Sequence, residues 1–209
     1  MRIKDAIALV GGIGKPSKMP GFAYGIPAQA CKTGGKLSRV PGSVCAKCYA
    51  KKGRYVFANV AQAQARRLAS IYRKGWVQAI ALILIRRNTR WFRWHDSGDI
   101  QSMRHLRNIV SVARMVPECR FWIPTKEVGL VREYLRKHGA FPENLVVRVS
   151  GAMIGGTAPD FPQVSVVRFA KDAARAGEWV CPAPTQGGKC GECRACWNPD
   201  IKSVSYKQH

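Results

Sequence analysis

Acidic residues are scarce in this chain of 209 residues, where 12 Asp and Glu stand against 35 Lys and Arg for a formal net charge of +23. A surplus of that size cannot be paired internally, so a charge-balanced surface is excluded and much of the exterior is positive. A polyanionic partner, DNA or RNA, is the natural inference; a generic basic surface is the bland alternative. Long apolar runs are missing too. The longest, WVQAIALILI at 76–85, is half the ~20 residues that span a bilayer, so no membrane association is expected. No signal-peptide core is visible near the N terminus. No GxGxxG, Walker loop or nucleophile elbow occurs, and GGIGK lacks the spacing and the Ser or Thr of a P-loop. Repeats and low-complexity segments are absent. The expectation is a soluble, cytoplasmic protein outside the common nucleotide-loop and serine-hydrolase classes.

What the chain does have is an ordinary apolar fraction of 46%, enough aromatic residues for a packed core, and eight cysteines. In a reducing compartment, thiolates bind metals more readily than they pair as disulfides. The length suits a single domain, residues 1–209. Residues 1–21, dense in Gly and Pro, read as an N-terminal arm rather than a helix. From 22 to 180, strands alternate with helices. Strands are expected at 22–28, 89–94, 119–124, 144–151, 164–170 and 178–183, and helices at 58–74, 76–85, 103–116, 128–139 and 171–177. Such alternation argues for parallel strands joined by crossovers, and about six strands fit a partial (β/α) barrel better than a closed eightfold one. Residues 181–209 form a cysteine-rich C-terminal extension.

In β/α folds the C-terminal strand ends share one face, and that face carries the chemistry. Here the first strand runs into Cys31, Cys45 and Cys48, the second into HDSGD at 95–99, the third into TKE at 125–127, the fourth into SG at 150–151 and the last into Cys181. Cys181, Cys190, Cys193 and Cys196 follow the pattern Cx8CxxCxxC. Three cysteines stepping by three with one distant partner stand closer to the ferredoxin run around [4Fe–4S] than to the paired CxxC knuckles of structural zinc, which is the alternative at this C-terminal site. Cys31, Cys45 and Cys48 offer only three thiolates, as Cx13CxxC. On a cubane that leaves one iron open to an external ligand. Two other readings stand beside this one: Cys119 supplies a fourth ligand, or the loop holds zinc with a His or Asp. Cys119 opens its strand, on the side away from the shared C-terminal face, and reads as a core thiol.

Among the remaining strand-end groups, Asp99 has two readings, a site carboxylate or the cap of a helix beginning near Ile100. Lys126 either meets a carboxylate or phosphate or is an ordinary exposed lysine. Arg148, inside an apolar run, needs an anionic partner if buried. His105 and His138 lie on expected helices and read as surface residues. RRNTRWFRW at 86–94 mixes arginines with aromatics and reads either as a nucleic-acid-contacting stretch or as a strand with its tryptophans in the core and its arginines outside.

KMPGFAYGIPAQAC, VCAKCYA, RWHDSGD and CPAPTQGGKCGECRACW together resemble the phage gene-88 protein family. The order CxxCYA, acidic turn, TKE strand end and LVVRVSG strand is similar to another family of phage proteins regarded as radical-SAM-like. The resemblance implies a phage protein in the host cytoplasm, a partial barrel and two [4Fe–4S] clusters, with S-adenosylmethionine as the ligand of the open iron. By the same resemblance, the turn holding Ser97 and Gly98 contacts that cofactor and Asp96 or Asp99 faces its ammonium. Lys126, Arg148 and Ser150, by their places at the ends of the third and fourth strands, are expected to complete that face. The implied function is a radical-SAM-like enzyme acting on or with nucleic acid or nucleotides. The rival is a non-catalytic, metal-stapled nucleic-acid-binding protein.

Overall fold

A computed structural model describes residues 1–208. Its elements in chain order are α1 (Ile3–Leu9), β1 (Phe22–Tyr24), α2 (Lys32–Leu37), α3 (Ala58–Ser70), α4 (Trp76–Arg86), β2 (Trp91–Trp94), α5 (Met103–Met115), β3 (Arg120–Thr125), α6 (Val128–His138), β4 (Leu145–Ile154), β5 (Val164–Arg168), β6 (Glu178–Val180) and β7 (Ser203–Lys207). The seven strands form one sheet in the order β1-β2-β3-β4-β5-β7-β6. Every neighbouring pair is parallel. The fold is therefore mixed α/β around an open parallel sheet.

Parallel strands are covered on both faces, and two different fillings do this here. Tyr24, Phe92, Trp94, Phe121, Ile123, Val147 and Val149 meet Ala6, Val10, Trp76, Ile80, Leu84, Leu106 and Ile109 of the helices in one apolar core. The opposite face carries Arg93, which pairs in register with Ala23 and Trp122, and Arg148, which pairs with Pro124. Trp197 of the C-terminal extension closes that side. Its ring lies 5.1 Å from Trp122 and 5.8 Å from Trp91, and its indole N–H donates to the Phe92 carbonyl at 2.9 Å.

Several expectations are corrected. The arm at 1–21 contains α1, because Ala6 and Val10, spaced i,i+4, are fully buried and the Gly-rich run begins only at Gly11. Gly11, at φ +74°, passes so close to α3 that an added Cβ would stand 2.6 Å from the Arg66 backbone. The Tyr24 hydroxyl ties α1 and α3 to β1, donating to the Val10 carbonyl at 2.6 Å and lying 2.8 Å from the Ser70 hydroxyl. The expected helix at 171–177 is turn and loop, and α2 forms inside the expected cysteine loop. The expected last strand is followed by β7, which inserts between β5 and β6 as a seventh strand. His105 is fully buried, 5.3 Å from the ring of His95. Burial holds it well below an ordinary histidine, at about 3.

Candidate functional site

The first cysteine set lies where β1 ends. Cys31 immediately precedes α2, and Cys45 sits in a one-turn helix, Val44–Lys47. The Ser43 hydroxyl shapes that turn by accepting the Ala46 N–H at 3.1 Å while donating to the Leu37 carbonyl at 2.5 Å. Gly34 faces the thiols. A Cβ there would stand 3.2 Å from Cys31 Cβ and 3.4 Å from Cys45 Sγ, so the position suits a residue without a side chain.

Two ties carry this loop across the C-terminal ends of the strands. Ser43 bridges Met153, and the Ile154 N–H donates to the Gly42 carbonyl at 3.0 Å, which fastens the loop to the end of β4. The Glu127 carboxylate, 8% exposed, accepts the Thr33 N–H at 2.9 Å and the Thr33 hydroxyl at 2.8 Å, which fastens α2 to the end of β3. Burial pushes the Cys31 thiol up to about 12, with Asp99, Cys48, Cys45 and Glu127 adding to the shift. Burial also raises Cys45, against the pull of the Lys126 ammonium. Thiols placed in this way become thiolates when a positive centre offsets the burial.

The strand-end residues separate into several roles. Asp99 is buried and saturated, accepting from Ile100 N at 2.7 Å, Thr125 Oγ1 at 2.6 Å and Lys126 N at 2.8 Å. Burial lifts its carboxyl to about 6, although all three hydrogen bonds favour the charged form. It does not cap a helix: α5 starts at Met103, and the Ser102 hydroxyl supplies the cap by accepting the His105 N–H at 3.1 Å. Lys126 is not an exposed lysine. Its ammonium donates to the Gly151 carbonyl at 2.7 Å, and burial lowers its pKa while Cys45, Asp99 and Cys48 hold it up.

Asp96 is half-buried and less occupied. Tyr55 donates to its Oδ2 at 3.3 Å, and its carbonyl accepts from Tyr49 at 2.7 Å. Gly25 makes room for it, since a Cβ there would stand 2.3 Å from Asp96 Oδ1. Ser97 is buried with an unpartnered hydroxyl, and Gly98, at φ +81°, lies against Ile26. The Ser150 and Ser165 hydroxyls pair at 2.9 Å.

Arg148 overturns the expectation of an anionic partner. It is fully buried, and its guanidinium donates to the backbone carbonyls of Ala195, Cys196, Asn198 and Ile201 at 2.7–3.1 Å. The five donors of a guanidinium can satisfy several carbonyls at once. Arg148 thus clamps the C-terminal extension onto the sheet.

The second cysteine set rides on that clamped segment. Cys181 follows β6, and burial raises its thiol, with Cys193 adding to the shift; Cys190 is raised in the same way, with Cys181 and Cys193 contributing. Cys196 lies 3.1 Å from the Tyr206 hydroxyl and is pushed up to about 12 by burial. Arg93 is shared between the two sites. Burial works against its charge, but Tyr49, Asp96, Tyr55 and Tyr206 outweigh this and hold it charged. Its guanidinium stacks 4.4 Å from the Trp122 ring and donates to the Tyr49 hydroxyl at 2.9 Å.

The reading of 86–94 as a nucleic-acid stretch is therefore not supported: Phe92 and Trp94 are core residues and Arg93 is internal, leaving Arg86, Arg87 and Arg90 outside. Cys119 is a buried core thiol immediately before β3. Among the described residues, no three or more His, Cys, Asp or Glu stand close enough to ligate one metal ion. A zinc ion needs its sulfurs about 2.3 Å from one point, whereas a four-iron cluster spreads them more widely. Tyr55 and Tyr206 carry no signal in the sequence. Glu127 lies in TKE and Tyr49 in CxxCYA, but only the folded chain shows what each touches.

The family model described as Gene product 88 matches residues 4–199, and the chain belongs to that family. No curated protein and no solved structure matched.

Proposed function

We propose that this member of the Gene product 88 family is a phage iron–sulfur protein with two [4Fe–4S] sites, radical-SAM-like in its partial-barrel layout, acting on or with nucleic acid in the host cytoplasm. The observation that supports this reading is the approach of Cys31 and Cys45 on either side of Gly34, in a loop tied to the ends of β3 and β4 of a parallel sheet, with Cys48, Asp99 and Lys126 near enough to act on their charge. The sequential order of β1 to β5 agrees with a partial barrel. Gly34, leaving space where a Cβ would crowd both Cys31 and Cys45, suits a bulky group between the thiols.

Cys31, Cys45 and Cys48 would hold the first cluster, and Cys181, Cys190, Cys193 and Cys196 the second. A cubane with three protein thiolates supplies single-electron chemistry and one iron open to an exchangeable ligand. The chain's own residues divide the rest of the work. Asp99, saturated by backbone and Thr125, holds the ends of β2 and β3 together. Asp96, with the freer carboxylate, is the better partner for the ammonium of S-adenosylmethionine. Lys126 supplies a buried cation beside the thiols, and Glu127 positions the loop through Thr33.

A second reading has its own support. The Arg148 clamp makes the C-terminal cysteine segment part of the core, as expected of a centre, zinc or iron–sulfur, that only staples a nucleic-acid-binding protein. Iron, sulfide and zinc analysis of anaerobically purified protein separates the two readings. Roughly eight irons and eight sulfides per chain with absorption near ~400 nm supports two cubanes; colourless protein carrying zinc overturns them. A change in the reduced cluster's electron paramagnetic resonance spectrum on adding S-adenosylmethionine supports an open iron, and no change reduces the first site to a closed centre.

A further inference from the structure

Past Cys48 and the buried Ala50 the chain turns to solvent. Lys51, Lys52, Gly53 and Arg54 are exposed, as is Lys47 just before them. Three large apolar side chains lie among these cations in the open: Phe57 at 57% exposure, Val56 at 52% and Tyr49 at 44%. Between Asp5 and Asp96 the sequence contains no Asp or Glu, so no carboxylate nearby in sequence neutralises the stretch. Among the described residues, none of Lys47, Lys51, Lys52 and Arg54 enters a salt bridge.

Local structure does not account for the exposed phenylalanine. Phe57 is the N-cap residue of α3, a position where Ser, Thr, Asp or Asn would accept a backbone N–H, and it makes no capping hydrogen bond. A local preference broken without compensation points to a role outside the fold. The neighbouring aromatic residues are held in place. The Tyr49 hydroxyl donates to the Asp96 carbonyl and accepts from Arg93, and its ring meets Tyr55 edge-on with centroids 5.6 Å apart. Ring surface ordered in advance costs little entropy on binding.

We propose that residues 47–57 form a binding surface for single-stranded nucleic acid, with Phe57 and the Tyr49 ring as stacking platforms and Lys51, Lys52 and Arg54 as phosphate contacts. Exposed rings among cations suit unpaired bases, which offer free faces for stacking; a duplex hides those faces and would use only the charges. The surface runs straight from the Cys45–Cys48 turn, so a bound strand lies beside the first cysteine site. The proposal rests on the nucleic-acid half of the reading above and not on the identity of the metal.

The test is fluorescence anisotropy of the full chain with labelled single strands of about 15 nucleotides, oligothymidylate and oligouridylate, against a duplex of equal length, over a salt series. Tighter binding of either single strand is expected, with the two arms showing whether DNA or RNA is preferred. Phe57→Ala should weaken single-strand binding about 5- to 150-fold, and Phe57→Trp should restore it. Lys51→Ala, Lys52→Ala and Arg54→Ala together should flatten the logarithmic salt slope by about 2. Arg107→Ala, Arg114→Ala and Arg120→Ala together, on another face, should leave it nearly unchanged. Unshifted melting curves would show that the variants fold. Wild type that binds no nucleic acid at low salt overturns both the proposal and the nucleic-acid reading. Wild type that binds while the Phe57 and Lys51 variants bind equally well, or that prefers duplex, overturns this surface alone.

Discussion

The two cysteine regions are fastened to the same sheet in different ways. The N-terminal set stands at the rim of the sheet on a loop fastened from outside, by Glu127 to Thr33 and by Met153 to Ser43, with Asp99 and Lys126 beside it. The C-terminal set is carried by the segment that covers the opposite sheet face, where Arg148 holds the backbone around Cys196 and Trp197 packs on Trp91 and Trp122, although the thiols of both sets are equally half-buried. Thiols on a tethered rim can lose a ligand group without collapse of the core. A change on the segment that Arg148 clamps is expected to cost more, so substitutions in the two sets should differ in their effect on stability.

The sharpest way to break that comparison is a pair of substitutions. Metal binding to small sites amounts to about 10 kcal/mol of folding energy. Cys193→Ser should therefore lower the melting temperature by about 20–40 °C, while Cys48→Ser should change it far less and still abolish the spectrum of the first site. Equal shifts in calorimetry would erase the distinction. Next in size, Arg148→Met leaves several buried carbonyls without donors and should cost about 3–5 kcal/mol in urea unfolding. A smaller loss would show that the extension docks mainly through Trp197.

Acid offers a third, smaller test. His105 has a folded pKa of about 3, below its ordinary 6.5, so the unfolded chain binds more protons between these values. Its contribution is complete above about pH 6.5 and is lost as pH falls. Asp99 works in the other direction: raised from 3.8 to about 6, it contributes fully below pH 3.8 and loses its contribution as pH rises through 6. Stability measured against pH should change by up to ~1.4 kcal/mol per unit for each group. His105→Gln should flatten the loss in acid, and Asp99→Asn should steepen it. The mildest change, Glu127→Gln, replaces charge-assisted bonds to Thr33 with neutral ones for about 1–2 kcal/mol. It should speed loss of iron to a chelator from the first site and not from the second.

The cysteine spacings and the alternation of apolar segments were legible because both are local. A CxxC step or an i,i+4 pair such as Ile80 and Leu84 does not depend on what lies across the molecule. The parallel sheet followed from that alternation. The missed elements were those whose apolar residues are few and whose partners are distant: α1 with Ala6 and Val10, and β7, whose Val204 completes the sheet beside β5. Arg148 was misread for a related reason. Its partners are backbone carbonyls about fifty residues away, which no side-chain pattern announces. The stretch at 86–94 keeps two readings in sequence because composition does not tell the two faces of a strand apart until its neighbours are known.

By itself the sequence determined the charge, the two thiol sets and the α/β class, because composition, short spacings and periodicity belong to the chain whatever its fold. Only the tertiary structure decided which cations and aromatic residues face solvent, that Asp99 is saturated while Asp96 is less occupied, and that one cysteine set is tied down by Glu127 and Met153 and the other by Arg148. Those properties depend on burial and on hydrogen bonds between residues far apart in sequence. They come into being only when the sheet brings its strand ends together.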